Sequence, residues 1–586
     1  MDLPNLRWWG WGTVDQTFPL EGRSRFWPTL RAWLDLPDDL EERPPVPLEE
    51  IALRPPRLDE PVLASLRRLV GDEAVRTDRQ ARVEHACGKA YRDLVRLRAG
   101  EVPNPPDAVV YPADEGQVAA LLAWAADREI AVIPFGGGST VLGAVEPPSG
   151  DRPVITLDMA RMDRVTALDR RSWTAHIQAG ARGPEVEAQL GAQGFTLGHF
   201  PQSFEFSTLG GWIATRGAGQ TSTGYGKIEH MTLAVRLVTP VGILDTRAVP
   251  AAATGPRLLD LVIGSEGAYG VIVEAVMRVR PKPEVQDYRG FLFPTLEDGI
   301  AALQDLMQQG PRPTIARLSD GPETAALAAL AREHRGLRGL FDQALEGYLV
   351  RKGFRFGGRF LEQALAGEVR PEEGAVFLLL GYDGPVGKVQ QHWSRATALC
   401  RDHGGMPLGR APGEAWKRGR FADPYLRDVL LGVGVMVDTV ETATSWSNLL
   451  HLYREMRAAI RAAIQAGGGG PGYVMTHISH VYEEGASLYA TFLGRQVPGR
   501  EVEQWWEVKR AATEAILAAG GTLSHHHGVG RDHVQWLERE IGPVGGKVLR
   551  ALKETLDPVG IMNPGVLVPF LPQGHGEPRG KPGEDL

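Results

Sequence analysis

Apolar positions recur every three to four residues in some windows of the chain and every second residue in others, and the switches between these periods divide it into segments. Near the start, "PVLASLRRLVG" and "GKAYRDLVRLRAG" carry the helical spacing in a region rich in Trp, Pro and Arg. Residues 1–102 therefore read as an N-terminal helical appendage. The following "VPNPPDAVVYPADEGQVAALLAWAADREIAVIPFGGGST" predicts a short strand, a helix from about Glu115 to Arg128, a second strand and a glycine loop. Alternating positions dominate from Val154 to Pro281, in "VITLDM", "WTAHIQAG", the hairpin-like "LAVRLVTPVGILDT" and "GVIVEAVMRVRP", and prolines close the segment.

Beyond residue 283 the helical stretches "LEDGIAALQDLMQQG" and "ETAALAALAREHRG" alternate with strand-like "GAVFLLLGYDG", which predicts a sheet with helices against it over 284–500. Residues 501–519 show helical spacing and stop at Gly520-Gly521. They lead into "SHHHGVG" and a last helix over "GKVLRALKETLDP", so 501–570 is a C-terminal helical region. The polar, Gly/Pro-rich tail 571–586 is expected to be disordered.

Composition narrows the classes. A chain of 586 residues predicts two to three domains, and 43% apolar with 23% charged residues is the balance of a soluble globular protein. A net charge of −8 without a basic run argues against a nucleic-acid partner. Cys87 and Cys400 lie far apart, which predicts buried free thiols in a reducing compartment. The longest apolar run, "VLLGVGVMV", falls well short of the roughly 20 residues of a spanning helix. The sequence carries 54 arginines against 10 lysines, a bias that points to a GC-rich genome, and the terminal "EDL" is not an S-K-L type address. The expectation is a cytoplasmic protein with peripheral contact at the inner membrane surface, for which "GLRGLFDQALEGYLVRKGF" at 336–354 is the candidate.

"PFGGGST" follows a predicted strand, and three glycines let backbone amides converge on an anion. It is neither a G-x-G-x-x-G fingerprint nor a P-loop, and by itself a turn is the better reading. "PQSFEFSTLGGWIATRGAGQTSTGYGKIEHM" at 201–231, too irregular for a helix or a plain strand, and "GSEGAYGVI" at 264–272 change that balance. Small, uncharged residues over so long a span suit an extended ligand gripped by backbone.

These stretches, with "YGKIE" and "SHHHGVG", resemble in order and spacing the flavin-binding module of the vanillyl-alcohol-oxidase or PCMH type. The likeness is closer still to the alkyldihydroxyacetonephosphate synthase family of ether-lipid enzymes, and runs from "WWGWG" at 8–12 to "DPVGIMNPGVL" near the end. It implies an α+β fold: an FAD-binding domain of two α+β subdomains over 103–283 and an α+β cap. It also implies FAD held non-covalently by Pro134, Phe135, Gly136, Gly137, Gly138, Ser139 and Thr140 at the pyrophosphate. Gln202, Ser203, Phe204, Glu205, Phe206, Ser207, Thr208, Thr215, Arg216, Gly217 and Ala218 would line the cofactor, as would Glu266, Gly267, Ala268, Tyr269, Gly270, Val271 and Ile272. Gln202 stands where the family often has Asp. The implied reaction is redox-neutral: the acyl chain of acyl-dihydroxyacetone phosphate is exchanged for a fatty alcohol through a flavin N5 adduct. The implied partners are lipid-like small molecules, and the expected assembly is a homodimer.

The histidine run has its own logic. Neighbouring side chains diverge in regular structure, and zinc pairs usually have residues between them, so no metal is expected from it. Imidazole titrates near neutrality and suits proton transfer. The resemblance implies a catalytic set of Tyr489, His525, His526, His527 and Arg317, with His526 as the proton-handling group. Arg427 and His477 are the substrate-binding candidates. The rival reading is an FAD-dependent D-2-hydroxyacid dehydrogenase, whose pattern has His where Tyr489 stands and Glu where His526 stands. Both differences favour the synthase, whereas His477, placed like the rival's first histidine, keeps the rival open. Positions 477 and 480 of an extended segment face opposite sides, which argues against a metal held by His477, His480 and one ring of the triplet.

Overall fold

The computed structural model describes residues 6–331 and 374–568. The 336–354 stretch, the end of the 323–336 helical pattern and the 571–586 tail lie outside the described residues.

The βαβ rhythm forms a four-stranded sheet in the order Val75–Arg76, Ala108–Val110, Val154–Asp158, Ala131–Phe135, of which the last three strands are parallel. The helix between them runs Glu115–Ala126 and starts where the Asp114 carboxylate accepts the Gln117 amide. All five residues of Val154–Asp158 are buried, as expected for a strand covered on both faces. A five-stranded antiparallel sheet follows, in the order Val165–Asp169, Thr174–Gln178, Val271–Arg278, Thr232–Thr239, Gly242–Asp245.

The cap is built on a seven-stranded antiparallel sheet ordered Met406–Gly409, Val285–Phe293, Val376–Gly384, Ile315–Ser319, Tyr473–Ile478, Gly485–Arg495, Val435–Ser445. Helices Leu296–Gln308, Val386–Asp402, Leu449–Ala466 and Glu501–Ala518 bury their apolar stripes against one face, in a core that includes Leu303, Trp393, Met456 and Trp505. Alternation decides what the other face carries. Val474, Ile478, Leu488, Ala490 and Phe492 point into that core, so Tyr473, Met475, His477, Tyr489, Thr491 and Leu493 point the opposite way, into a cavity.

Three expectations change in detail. The irregular 201–231 stretch contains the short helices Leu209–Ala214, Ser222–Tyr225 and Ile228–Met231. Burial of Leu209, Trp212 and Ile213 and the Thr208 cap on the Gly211 amide outweigh the low helix propensity of its glycines. The last helix begins at Val534, well before "GKVLRALKETLDP", and bends at Gly542, whose φ is 73° and which precedes Pro543. The helix predicted to Arg128 ends at Ala126. Cys87 and Cys400 are buried free thiols, and among the described residues no helix is long and apolar enough to cross a membrane.

Candidate active site

The glycine loop leaves the parallel sheet at Phe135 and packs where side chains would not fit. A Cβ on Gly137 would stand 1.9 Å from the Phe206 carbonyl oxygen, and one on Gly136 2.2 Å from Thr208 Oγ1. None of the amides of residues 136–140 donates to an acceptor within the described residues. Backbone donors are thus open in a cradle free of side chains, as an anionic ligand requires. The third glycine loop approaches from the antiparallel sheet, with Glu266 at φ 47° and Gly267 at φ 75° against the Pro134 ring. Asn563 Nδ2 donates to the Glu266 and Ala144 carbonyls and ties both loops to the C-terminal segment.

Together these loops line a cavity of about 490 Å³. Of the predicted cofactor residues, Pro134 to Thr140, Gln202, Ser203, Ser207, Thr208, Thr215, Gly217, Ala218, Glu266, Gly267, Gly270, Val271 and Ile272 line it. Gln202 Nε2 is buried there without a partner among the described residues, an amide donor available to a ligand. Phe204, Glu205, Phe206, Arg216, Ala268 and Tyr269 do not line it. Phe204 stacks on Phe421, Phe206 meets the edge of Trp11, and Glu205 lies 3.4 Å from the Tyr425 hydroxyl. Arg216 turns outward to Glu229, and Ala268 and Tyr269 pack into the core of the antiparallel sheet.

Across the cavity the cap sheet presents a rung of side chains. Ser319 pairs with His477, His477 with Tyr489, and Tyr489 with Glu441, so three adjacent strands set His477, Tyr489 and Glu441 in one row. Arg317, two residues from Ser319, shares the face. His477 stacks on Tyr489 with ring centroids 4.9 Å apart. Glu323, at the start of the helix after Ile315–Ser319, links two of the predicted residues: Arg317 donates to its Oε1 at 2.9 Å, and His477 Nδ1 lies 2.8 Å from the same oxygen. Burial works to raise the Glu323 carboxyl, and Arg317 with His477 overrides it, holding it below the usual carboxylate range. Burial, then the Arg317 charge, lowers the pKa of His477.

The histidine triplet reaches this rung through Glu441. Its buried carboxylate accepts from Ser524 Oγ at 2.7 Å and from the amides of His525, His526 and His527 at 2.7, 3.2 and 3.1 Å. Three convergent amides and a hydroxyl explain why the loop can turn so tightly. Burial would raise the Glu441 carboxyl, yet His526, His527 and His525 around it hold it well below its ordinary value. Glu266 grips the other end of the loop, accepting the Val529 and Gly530 amides at 2.6 and 2.8 Å.

His526 and His527 line the cavity, whereas His525 does not; its Nε2 lies 2.6 Å from the Tyr482 hydroxyl and its Nδ1 2.9 Å from His526 Nδ1. Tyr489 stands between the groups, 5.9 Å from the His526 ring and 5.7 Å from His527, and burial pushes its phenol up to about 12. Burial, with His526 beside it, lowers His527 to about 3. Arg427 enters from helix Asp423–Gly432, donates from Nη1 to the Lys89 carbonyl at 2.7 Å and keeps a buried Nε with no partner among the described residues.

Sequence reasoning passed over Glu441, Glu323, Lys89 and Asp423 and considered His480 only as a metal ligand it argued against; all five lie at or beside the cavity. Glu441 carried a usable signal, since it and Asp438 are carboxylates in a strand that also carries Val435, Met436, Val437 and Val440, and a carboxylate buried there needs a partner. The role of the N-terminal appendage was also missed. Phe26, Thr29, Leu30 and Trp33 of helix Phe26–Leu34 line one limb of the cavity, in an apolar cluster with Leu330, Leu430, Val437, Met475 and Leu493. That limb has no ionisable side chain among these residues.

Comparison with known proteins finds similarity along most of the chain. An FAD binding domain family matches residues 106–246, and the family of FAD linked oxidase C-terminal domains matches 282–567. Alkyldihydroxyacetonephosphate synthase of Dictyostelium discoideum is 36% identical, with 97% of this chain and 94% of that protein covered. The Trypanosoma brucei brucei enzyme of the same name is 34% identical over 90% of this chain and 84% of its own. A solved alkyldihydroxyacetonephosphate synthase superposes with a TM-score of 0.78 at 32% identity, covering 96% of this chain and 98% of that one.

Proposed function

We propose, on the premise that this chain belongs to the alkyldihydroxyacetonephosphate synthase family of FAD-binding proteins, that it exchanges the acyl chain of acyl-dihydroxyacetone phosphate for a fatty alcohol. The observation that carries this reading is one continuous cavity with three unlike parts: a glycine cradle, a rung of ionisable groups and an apolar limb. FAD, held without a covalent link by the 134–140, 202–218 and 266–272 loops, supplies when bound the electron-poor ring that activates C1 of the substrate. The remaining work falls to side chains of this protein.

Arg427 and Lys89, adjacent at the cavity, hold the substrate phosphate, where the unpartnered Arg427 Nε offers a directed donor. Arg317 is charge-compensated by Glu323, so it orients oxygen substituents and binds the phosphate less strongly. Tyr489 stays protonated and donates to a substrate oxygen. His526 takes the C1 proton when the fatty acid leaves as carboxylate and returns it after the alcohol adds, the alcohol's hydroxyl proton passing to the departed carboxylate or to solvent, and Glu441 stabilises the imidazolium in between. One oxygen substituent replaces another, so no external electron acceptor is consumed. The apolar limb beside Phe26–Leu34 takes the alkyl chain, and access for such chains calls for contact with a membrane surface.

The test is a paired assay on FAD-loaded protein. Palmitoyl-dihydroxyacetone phosphate with hexadecanol under anaerobic conditions is expected to give ether product without bleaching of the flavin band. Bleaching by a D-2-hydroxyacid with no ether product would overturn the reading and make His477 part of a dehydrogenase site.

A further inference from the structure

The geometry points to a second property of the histidine loop: His480, His525 and His526 form a site for a zinc-class divalent cation, and filling it stops the exchange reaction. Each ring offers one nitrogen, and the three lie within 4.8 Å of one another, the one such cluster of possible metal ligands among the described residues. Tetrahedral zinc with Zn–N bonds of about 2.0–2.1 Å spaces its nitrogens about 3.3 Å apart. Closing the triangle therefore takes shifts of roughly 1.5 Å, within the range of side-chain rotation in an irregular loop.

Divergence of adjacent histidines is a property of regular strands and helices, and residues 524–530 are neither. Their turn over Glu441 brings His525 Nδ1 to 2.9 Å from His526 Nδ1. Two nitrogen lone pairs do not approach so closely unless a proton or a cation lies between them. His480 stands past the end of strand Tyr473–Ile478, so the alternation that separates it from His477 no longer applies, and its ring stacks on His525 at 5.3 Å.

One further observation independently indicates a ligand, and a second is compatible with it. His480 is 6% exposed, and its Nδ1 is buried with no hydrogen-bond partner among the described residues, an arrangement that a bound cation relieves. The Tyr482 hydroxyl, 2.6 Å from His525 Nε2, can accept the Nε2 proton and leave Nδ1 as the free lone pair, the usual second contact of a metal-bound imidazole. The Glu441 carboxylate, 3.4 Å from His526 Nδ1, offsets the added charge. Lys227, which donates to the His525 carbonyl, opposes it but is itself paired with Glu229 at 3.3 Å. Three imidazoles without a thiolate favour zinc, cobalt, nickel or copper over magnesium or calcium.

The inhibitory consequence rests on the proposed role of His526, because a lone pair given to a metal cannot take the C1 proton. Binding itself does not depend on that role. FAD-loaded enzyme, freed of metal with chelator, is titrated with zinc sulfate while free zinc is followed with a chromophoric chelator, and ether formation is measured in parallel. One equivalent bound per chain, activity falling in step, recovery with EDTA, and binding at least about tenfold weaker in His480→Gln and in Tyr482→Phe are expected. Equal zinc binding by wild type and both variants, or none, overturns the site. Zinc bound in the wild type with ether formation undiminished overturns the inhibition and the role of His526. Zinc-free enzyme that makes no ether overturns the proposed function and leaves the site to be judged by the binding titration.

Discussion

Glu441 and His526 stand 85 residues apart in sequence, yet the carboxylate receives the His526 amide at 3.2 Å and lies 3.4 Å from the imidazole Nδ1. One buried anion thus shapes the loop and faces the ring proposed to carry the proton. Glu441→Gln keeps the size and removes the charge. A loss in kcat of about a hundredfold is expected, with KM and flavin content near wild type. Unchanged kcat at saturating substrate would sink the electrostatic role.

Tyr489 should act as a permanent donor. Burial holds its phenol near 12, so the high-pH limb of the activity profile should not move between wild type and Tyr489→Phe below about pH 10, while kcat falls by roughly 10- to 100-fold. A limb that vanishes in the variant would show the phenol titrating within the working range.

Arg427→Ala removes the free Nε beside Lys89. KM for the phosphorylated substrate should rise by about 10- to 100-fold with KM for the alcohol unaffected. Initial rates with each substrate varied in turn distinguish this from a general loss of fold.

The apolar limb should set chain length. Leu30 faces it from the N-terminal helix, and Leu30→Trp shortens the space. Each methylene excluded forgoes about 0.8 kcal/mol of burial, so kcat/KM should shift from hexadecanol toward shorter alcohols. An unaltered chain-length profile would place the alkyl chain elsewhere.

Glu266 gives a stability prediction with a definite sign. Burial lifts its carboxyl from 4.5 to about 7 in the folded protein, against the lowering effect of the Val529 and Gly530 amides. A carboxyl raised on folding contributes stability that is complete below its unfolded pKa and lost as pH rises through the folded value. Between about pH 4.5 and 7 that loss approaches 3 kcal/mol. Denaturation of wild type and Glu266→Gln across this range should show the slope in the first and a smaller one in the second.

Local chemistry made much of this protein legible in its sequence. Strand–helix–strand spacing around Glu115–Ala126, glycines that only a close backbone approach requires, and the Gly520-Gly521 stop before the histidines all report on interactions within a few residues. The three glycine loops and "SHHHGVG" were readable together because their order along the chain sufficed. Register across the cap sheet was not readable. No local signal aligns Val435–Ser445 with Gly485–Arg495, yet that pairing puts Glu441 beside Tyr489 and under the histidine loop. The same holds for Phe204, Glu205, Phe206, Arg216, Ala268 and Tyr269, which share a motif with cavity residues but are turned away by Phe421, Tyr425, Trp11, Glu229 and the sheet core. Sequence alone determined where the strand–helix–strand unit and the glycine loops lie, since those are energies of neighbouring residues, whereas burial made short helices of the 201–231 stretch. Tertiary structure decided which side chains meet, because a one-residue change of register would reverse every face of the sheet.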